Sequence, residues 1–168
     1  MSKFVLIDGH SILNRAFYGV PIFTNSEGLH TNAVFGFLNI MFKIIDSKQP
    51  DYMAVAFDVH QPTFRHEMFK DYKGTRKPMM EELREQVPVI KELLQKMNIT
   101  TVELPGYEAD DVIGTLSKKG EKADMEVDVI SGDRDLLQLA SDHITICIPK
   151  TKKGQTTVEE YNTEGVMK

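Results

Sequence analysis

The sequence has one cysteine, Cys147, no apolar run longer than six residues, and no GxGxxG or GxxxxGK loop. A lone cysteine excludes an internal disulfide and suits a reducing, cytoplasmic setting. The short apolar runs exclude a membrane-spanning helix. Met1-Ser2-Lys3 leads straight into a strand-like run, so no secretory leader is expected. The missing glycine-rich loops leave nucleotide cradling without support. His10, His30, His60, His66 and His143 are scattered without metal-type spacing, which disfavours zinc. Ser11 and Ser131 have no evident base partner, and methionines such as Met79, Met80 and Met97 read as core filler.

What is present is a chain of 168 residues, 41% hydrophobic and 27% charged, which suits one folded domain. The net charge of −5 hides a split. Residues 60–80 are net +3 through Arg65, Lys70, Lys73, Arg76 and Lys77, whereas residues 103–135 are net −6. Such sign asymmetry is more informative than the total.

Strand-like and helix-like segments alternate. Lys3–Ile7, Tyr52–Phe57, Thr101–Leu104, Val127–Ile130 and Ile144–Ile148 read as strands, with Thr156–Tyr161 pairing back around Lys153-Gly154. Ser11–Phe17, Thr31 (as cap) to Ile45, Met80–Met97 with a kink at Pro88, Asp110–Lys119 ended by Gly120, and Leu136–Ala140 read as helices. This order predicts an α/β fold, a mostly parallel sheet with helices on both faces. Residues 58–78 form a long, basic, weakly periodic connection, the kind that is functional or disordered. Residues 163–168 read as a helix cut off after its start, so the chain is expected to be a piece of a longer protein.

Three apolar strands run into an aspartate: Phe4–Ile7 into Asp8, Ala54–Phe57 into Asp58, and Val127–Ile130 through Ser131-Gly132 into Asp133, with Asp135 on the same turn. Glu108, Asp110 and Asp111 fall where the third strand gives way to a helix. In open α/β sheets the site lies beyond the carboxyl ends of the strands. Each acid alone is equally a turn or cap residue. Seven together repel one another and need cations. Oxygen-only donors select hard ions, Mg²⁺ or Mn²⁺, and two such ions about 3.5–4 Å apart are the usual apparatus of phosphodiester hydrolysis. Arg65, Lys73 and Arg76 would then hold phosphate, and Phe64, Phe69 and Tyr72 could stack on unpaired bases; the plainer reading of that loop is a solvated charged segment.

Leu6-Ile7-Asp8-Gly9, Thr63-Phe64-Arg65-His66-Glu67, Tyr72-Lys73-Gly74-Thr75-Arg76, Gly106-Tyr107-Glu108-Ala109-Asp110-Asp111 and Ser131-Gly132-Asp133-Arg134-Asp135 resemble the 5′-nuclease (flap endonuclease and 5′-3′ exonuclease) family. Within it they are most similar to the amino-terminal domains of bacterial replicative-repair polymerases. Arg15-Ala16-Phe17 and Thr31-Asn32-Ala33 also fit, and the resemblance covers essentially the whole chain.

The resemblance implies a PIN-like (resolvase-like) catalytic domain spanning 1–168 that stops before a helical duplex-binding region. It implies two-metal cleavage of 5′ flaps and RNA primers in DNA replication and repair. Asp8, Asp58, Glu108, Asp110, Asp111, Asp133 and Asp135 match the metal-holding positions. Tyr72, Lys73 and Arg76 match an arch that acts on the scissile phosphate. Arg15, Arg65, Lys70, Lys73, Arg76 and Lys77 are the expected DNA contacts. The implied partners are flap, nicked or primer-bearing DNA and a polymerase domain in the same parent chain, near the nucleoid, with no membrane and no obligate protein partner. His10 and Arg134 depart from the family's frequent Asn and Lys. Three other readings are an inactive metal- and DNA-binding fragment, a PIN-type ribonuclease, and an aspartyl-phosphate phosphatase. The last lacks an acid two residues after Asp8, where His10 stands.

Overall fold

The computed structural model describes residues 1–22, 24–59, 81–152 and 155–163. Its elements are β1 (Lys3–Asp8), α1 (Gly9–Gly19), α2 (Asn32–Lys48), β2 (Tyr52–Ala56), α3 (Glu81–Arg84), α4 (Gln86–Lys96), β3 (Thr100–Val102), α5 (Ala109–Lys122), β4 (Glu126–Ile130), a 3₁₀ turn (Arg134–Leu139), β5 (Ile144–Lys152) and β6 (Gln155–Tyr161). The sheet order is β3-β2-β1-β4-β5-β6, with every pairing parallel except β5 with β6.

Side-chain alternation divides the core in two. Val5, Ile7, Val55, Phe57 and Ile130 face α1, α2 and α4, packing on Ile12, Phe37, Ile90 and Leu94. Leu6, Ala54, Ala56, Val127 and Val129 face α5 and the 3₁₀ turn, packing on Val112, Ile113 and Leu136. Each fully buried side chain of this size contributes roughly 1.5–3 kcal/mol relative to exposure. The predicted parallel sheet with helices on both faces is the observed one.

Three local expectations are corrected. Helix α5 does not stop at Gly120 but runs to Lys122. A Cβ at Gly120 would lie 2.9 Å from Val127 Cγ2, so this glycine lets the helix approach β4 closely instead of ending it. The 80–97 helix does not kink at Pro88. It breaks at Glu85, and Pro88 falls in the first turn of α4, where a missing N–H costs no intrahelical bond. Thr31 makes no side-chain cap to α2. Buried Gln86 does this from another helix: its Oε1 accepts from the N–H groups of Ala33 (2.8 Å) and Val34 (3.1 Å).

Candidate metal centre

Residues two apart on a strand share a face, so Leu6 and Asp8, and likewise Ala54, Ala56 and Asp58, lie on the α5 side. The registers Asp8↔Ala56 and Ile7↔Ile130 bring the ends of β2, β1 and β4 level. Helix α5 begins at the same rim. Asp58 Oδ1 accepts from Ala109 N at 2.6 Å, which fastens the β2 end to the first turn of α5. Asp111 accepts from Glu108 N at 3.1 Å as part of a capping box. Glu108 is buried, and Asp110 and Asp111 are half-buried.

Asp8 is the electrostatic centre of this rim. It is 5% exposed and caps α1 by accepting from Ser11 N at 3.4 Å. Ser131 Oγ donates to its Oδ2 at 2.8 Å. Burial raises the Asp8 carboxyl from 3.8 to about 7, with the charges of Asp110 and Asp58 adding to the rise and the Ser131 and Ser11 hydrogen bonds opposing it. A carboxyl held up in this way costs free energy to ionise, and the side chains gathered around it at this rim offer oxygen donors.

The β4 end contributes through a turn. Asp133 Oδ1 accepts from Asp135 N at 2.9 Å and caps the 3₁₀ turn, while Asp133 N donates to Ser131 Oγ at 3.0 Å. Ser11 Oγ accepts from Gly132 N at 2.7 Å. Asp135 is exposed. Arg15, an expected DNA contact, donates to the Pro149 carbonyl at 2.7 Å, and a Cβ on Gly132 would lie 2.6 Å from its Nη2. Arg15 therefore lies across this turn and ties it to β5. Tyr72, Arg65, Lys70, Lys73, Arg76 and Lys77 lie outside the described residues, as do Phe64 and Phe69.

Ser131, Ser11, Gly9 and Gly132 are the positioning residues that sequence reading missed. Ser131-Gly132 read only as a turn, because the hydroxyl's target sits 123 positions away. Gly9 is required for close approach: a Cβ there would meet the Phe57 ring at 2.5 Å and the Ala56 carbonyl at 2.9 Å.

A different group has the tightest donor spacing among the described residues. One ligand atom each from Asp128, Cys147 and Glu160 lie within 4.8 Å of one another, on the opposite sheet face from Asp8. Lys48 pairs with both of its carboxylates, reaching Asp128 at 3.6 Å, and so supplies the positive charge itself. Burial, followed by the Asp128 charge, pushes the Cys147 thiol up to about 12 and keeps it protonated. No three of the seven expected carboxylates close to this 4.8 Å spacing among the described residues.

A mostly parallel sheet that gathers oxygen donors beyond its strand ends defines a resolvase-like α/β domain. The chain belongs to the 5′-3′ exonuclease N-terminal resolvase-like domain family, whose profile matches residues 3–168. It is 52% identical over 164 residues, 98% of its length, to DNA polymerase I of Bacillus caldotenax, and 51% identical over the same span to that of Bacillus subtilis (strain 168). It covers 18% of each of those proteins, so it spans about a fifth of the curated relatives it matches. In fold it is similar to T5 5′-exonuclease with zinc bound (TM-score 0.67, 20% identity, 95% of this chain, 58% of that one). It is likewise similar to a T5 D15 flap endonuclease variant in complex with DNA and metal ions (TM-score 0.68, 22% identity, 95% and 57%). Among the described residues no helix is long and apolar enough to cross a membrane.

Proposed function

We propose that this chain is the catalytic part of a divalent-metal-dependent 5′ nuclease, which hydrolyses phosphodiester bonds at 5′ flaps and RNA primers during DNA replication and repair. The observation that carries this reading is the convergence of Asp8, Asp58 and the first turn of α5 on one sheet face, with the Asp8 carboxyl raised to about 7 by burial and by its acidic neighbours.

Asp8, Asp58, Glu108, Asp110, Asp111, Asp133 and Asp135 would hold Mg²⁺ or Mn²⁺. Bound there, the ions supply Lewis-acid stabilisation of phosphate charge and a water of lowered pKa. The chain's own part is positional. Ser131 and Ser11 orient Asp8, Ala109 N orients Asp58, and Arg15 steadies the Asp133 turn. Tyr72, Lys73 and Arg76 would act on the scissile phosphate, with Arg65, Lys70 and Lys77 gripping the backbone. The DNA polymerase I relatives favour a polymerase domain in the same parent chain, and with it a cytoplasmic, nucleoid-associated setting. Residues 1–168 would form a single catalytic domain that stops short of the helical duplex-binding region.

The test is cleavage of a 5′-flap duplex with Mn²⁺, which should fall near the junction and vanish in Asp58→Ala. Cutting by Asp58→Ala at the parent rate would remove that ligand from the mechanism.

A second reading follows from coverage. The T5 structures extend well beyond the part this chain matches, 57% and 58% of their length. On that reading the isolated chain binds metal and DNA but turns over slowly. Equal turnover with and without the following helical region would dismiss it.

A further inference from the structure

The end of β2 is tied to three neighbouring elements. Phe57 N donates to the Val102 carbonyl of β3 at 2.9 Å. Asp58 Oδ1 accepts from Ala109 N of α5 at 2.6 Å. The third tie comes from α1, where His10 Nε2 lies 3.3 Å from the Asp58 carbonyl oxygen. A carbonyl only accepts, so that ring nitrogen is the one that carries a proton.

Packing aims the ring. His10 stands in the first turn of α1, two residues after the Asp8 cap. It is half-buried, with Nδ1 sealed from solvent. Its ring meets that of Phe57 edge-on, with centroids 5.5 Å apart and planes at 90°. Phe57 is itself buried, and Lys91 Nζ lies 5.2 Å from its centroid. Edge-to-face rings and a cation near a ring face are both favourable arrangements, so the imidazole rests on a fixed support. It has two separable contacts: the ring packs on Phe57, and the Nε2–H reaches Asp58. The bond to the carbonyl holds the main chain of residue 58, and the bond from Ala109 N holds one carboxylate oxygen. With both held, the position of the other oxygen follows.

We propose that His10 is a positioning residue for Asp58, whose Nε2–H holds the end of β2 so that the Asp58 carboxylate stays at the rim beside Asp8. Its consequence for metal binding rests on the nuclease reading above. The tether itself is readable in the metal-free chain.

Two variants separate the contacts. His10→Phe keeps a ring edge against Phe57 and removes the donor. His10→Gln gives up the ring and places an amide N–H near the Nε2 position. In EDTA, hydrogen exchange of the Ala109 amide reports its bond to Asp58, and that of the Val55 amide reports the sheet. His10→Phe should speed Ala109 exchange about two- to tenfold, the worth of one hydrogen bond, and leave Val55 as in the parent. His10→Gln should return Ala109 towards the parent rate. A role limited to packing gives the reverse order, with His10→Gln the faster. That order, equal acceleration in both variants, or an unmoved Ala109 in His10→Phe overturns the proposal, as does a ¹⁵N spectrum of the parent showing Nε2 without a proton. A calorimetric Mn²⁺ titration is read alongside, with binding weakened about two- to tenfold in His10→Phe and spared in His10→Gln. If the parent binds Mn²⁺ and His10→Phe binds it equally well, the role of His10 falls and the nuclease reading stands. A parent that binds no Mn²⁺ sinks the nuclease reading, and Ala109 exchange still decides the tether.

Discussion

Ser131 Oγ donates to Asp8 Oδ2 at 2.8 Å, joining the ends of β4 and β1. The same hydroxyl accepts from Asp133 N at 3.0 Å. One buried serine therefore orients the Asp8 carboxylate, favours its ionised form and fixes the backbone of the turn that carries Asp133. Ser131→Ala leaves an amide and a carboxylate without that partner and should cost about 1–3 kcal/mol. Urea unfolding gives the cost, and a calorimetric Mn²⁺ titration should show weakened binding. An unchanged Mn²⁺ affinity would mean that Asp8 is oriented without Ser131.

Asp8 also sets a pH dependence in the metal-free chain. Its carboxyl is raised from 3.8 to about 7 in the fold. Between those values the native chain holds a proton that the unfolded chain has released, so stability falls as pH rises through that window. It is full below about pH 4, and the loss is complete above about pH 7, reaching at most about 4 kcal/mol. Urea midpoints in EDTA should drop between pH 5 and pH 8, and saturating Mg²⁺ should shrink the drop. Asp8→Asn should flatten the profile and raise the metal-free midpoint at pH 8.

Gly9 follows Asp8 directly, and its missing side chain lets β1 turn into α1 against β2. A methyl there meets the Phe57 ring at 2.5 Å and the Ala56 carbonyl at 2.9 Å. The ring can shift by rotation, but the carbonyl belongs to the sheet. Gly9→Ala should cost about 1–3 kcal/mol and, by separating the ends of β1 and β2, weaken metal binding as well. Thermal unfolding with and without Mn²⁺ reads both effects, and a variant with parent stability and parent Mn²⁺ shift would refute the close approach.

Strands β1 and β2 were legible as apolar runs, and the rim because three strands lead toward an aspartate at their carboxyl ends, directly at Asp8 and Asp58 and through Ser131-Gly132 at Asp133. Paired parity and register are enough to put Asp8 and Asp58 on one face. What holds them there was not legible. The Ser131–Asp8 bond, the Gln86 cap on α2 and the Arg15 contact with Pro149 all join residues more than 50 positions apart. Gly120 read as a stop because a glycine in a helix weakens it locally; packing against Val127 overrides that preference. Asp128 sits mid-strand in an otherwise apolar run, and its partner Lys48 comes from the last turn of α2.

That pair carries its own prediction. Lys48 and Asp128 are mostly buried, with side chains 19% and 12% exposed, and Glu160 completes the group. Removing one member of a buried pair strands the other, at a cost of about 3–5 kcal/mol, whereas replacing both with apolar groups is often neutral. Lys48→Met should be strongly destabilising in urea, and adding Asp128→Leu should recover most of the loss. Chelators should leave the parent's Lys48 group untouched, since its cation is covalent. A double variant no more stable than Lys48→Met would mean that the lysine acts through something other than its charge.

Asp58 separates the structural and chemical roles of the rim. Its Oδ1 accepts from Ala109 N at 2.6 Å, so it closes the first turn of α5 as well as standing among the expected ligands. Asp58→Asn keeps an acceptor oxygen for that N–H and removes the charge. Asp58→Ala removes both and should lose about 1 kcal/mol of stability, as for other caps. The two variants should therefore differ in urea midpoint and agree in chemistry, each losing Mn²⁺ binding and flap cleavage. The loss in cleavage should exceed about a hundredfold, since a negative charge that holds the ions contributes several kcal/mol. If Asp58→Asn kept full cleavage while Asp58→Ala lost it, Asp58 would be a helix cap alone, and the metals would have to be held by the remaining six acids.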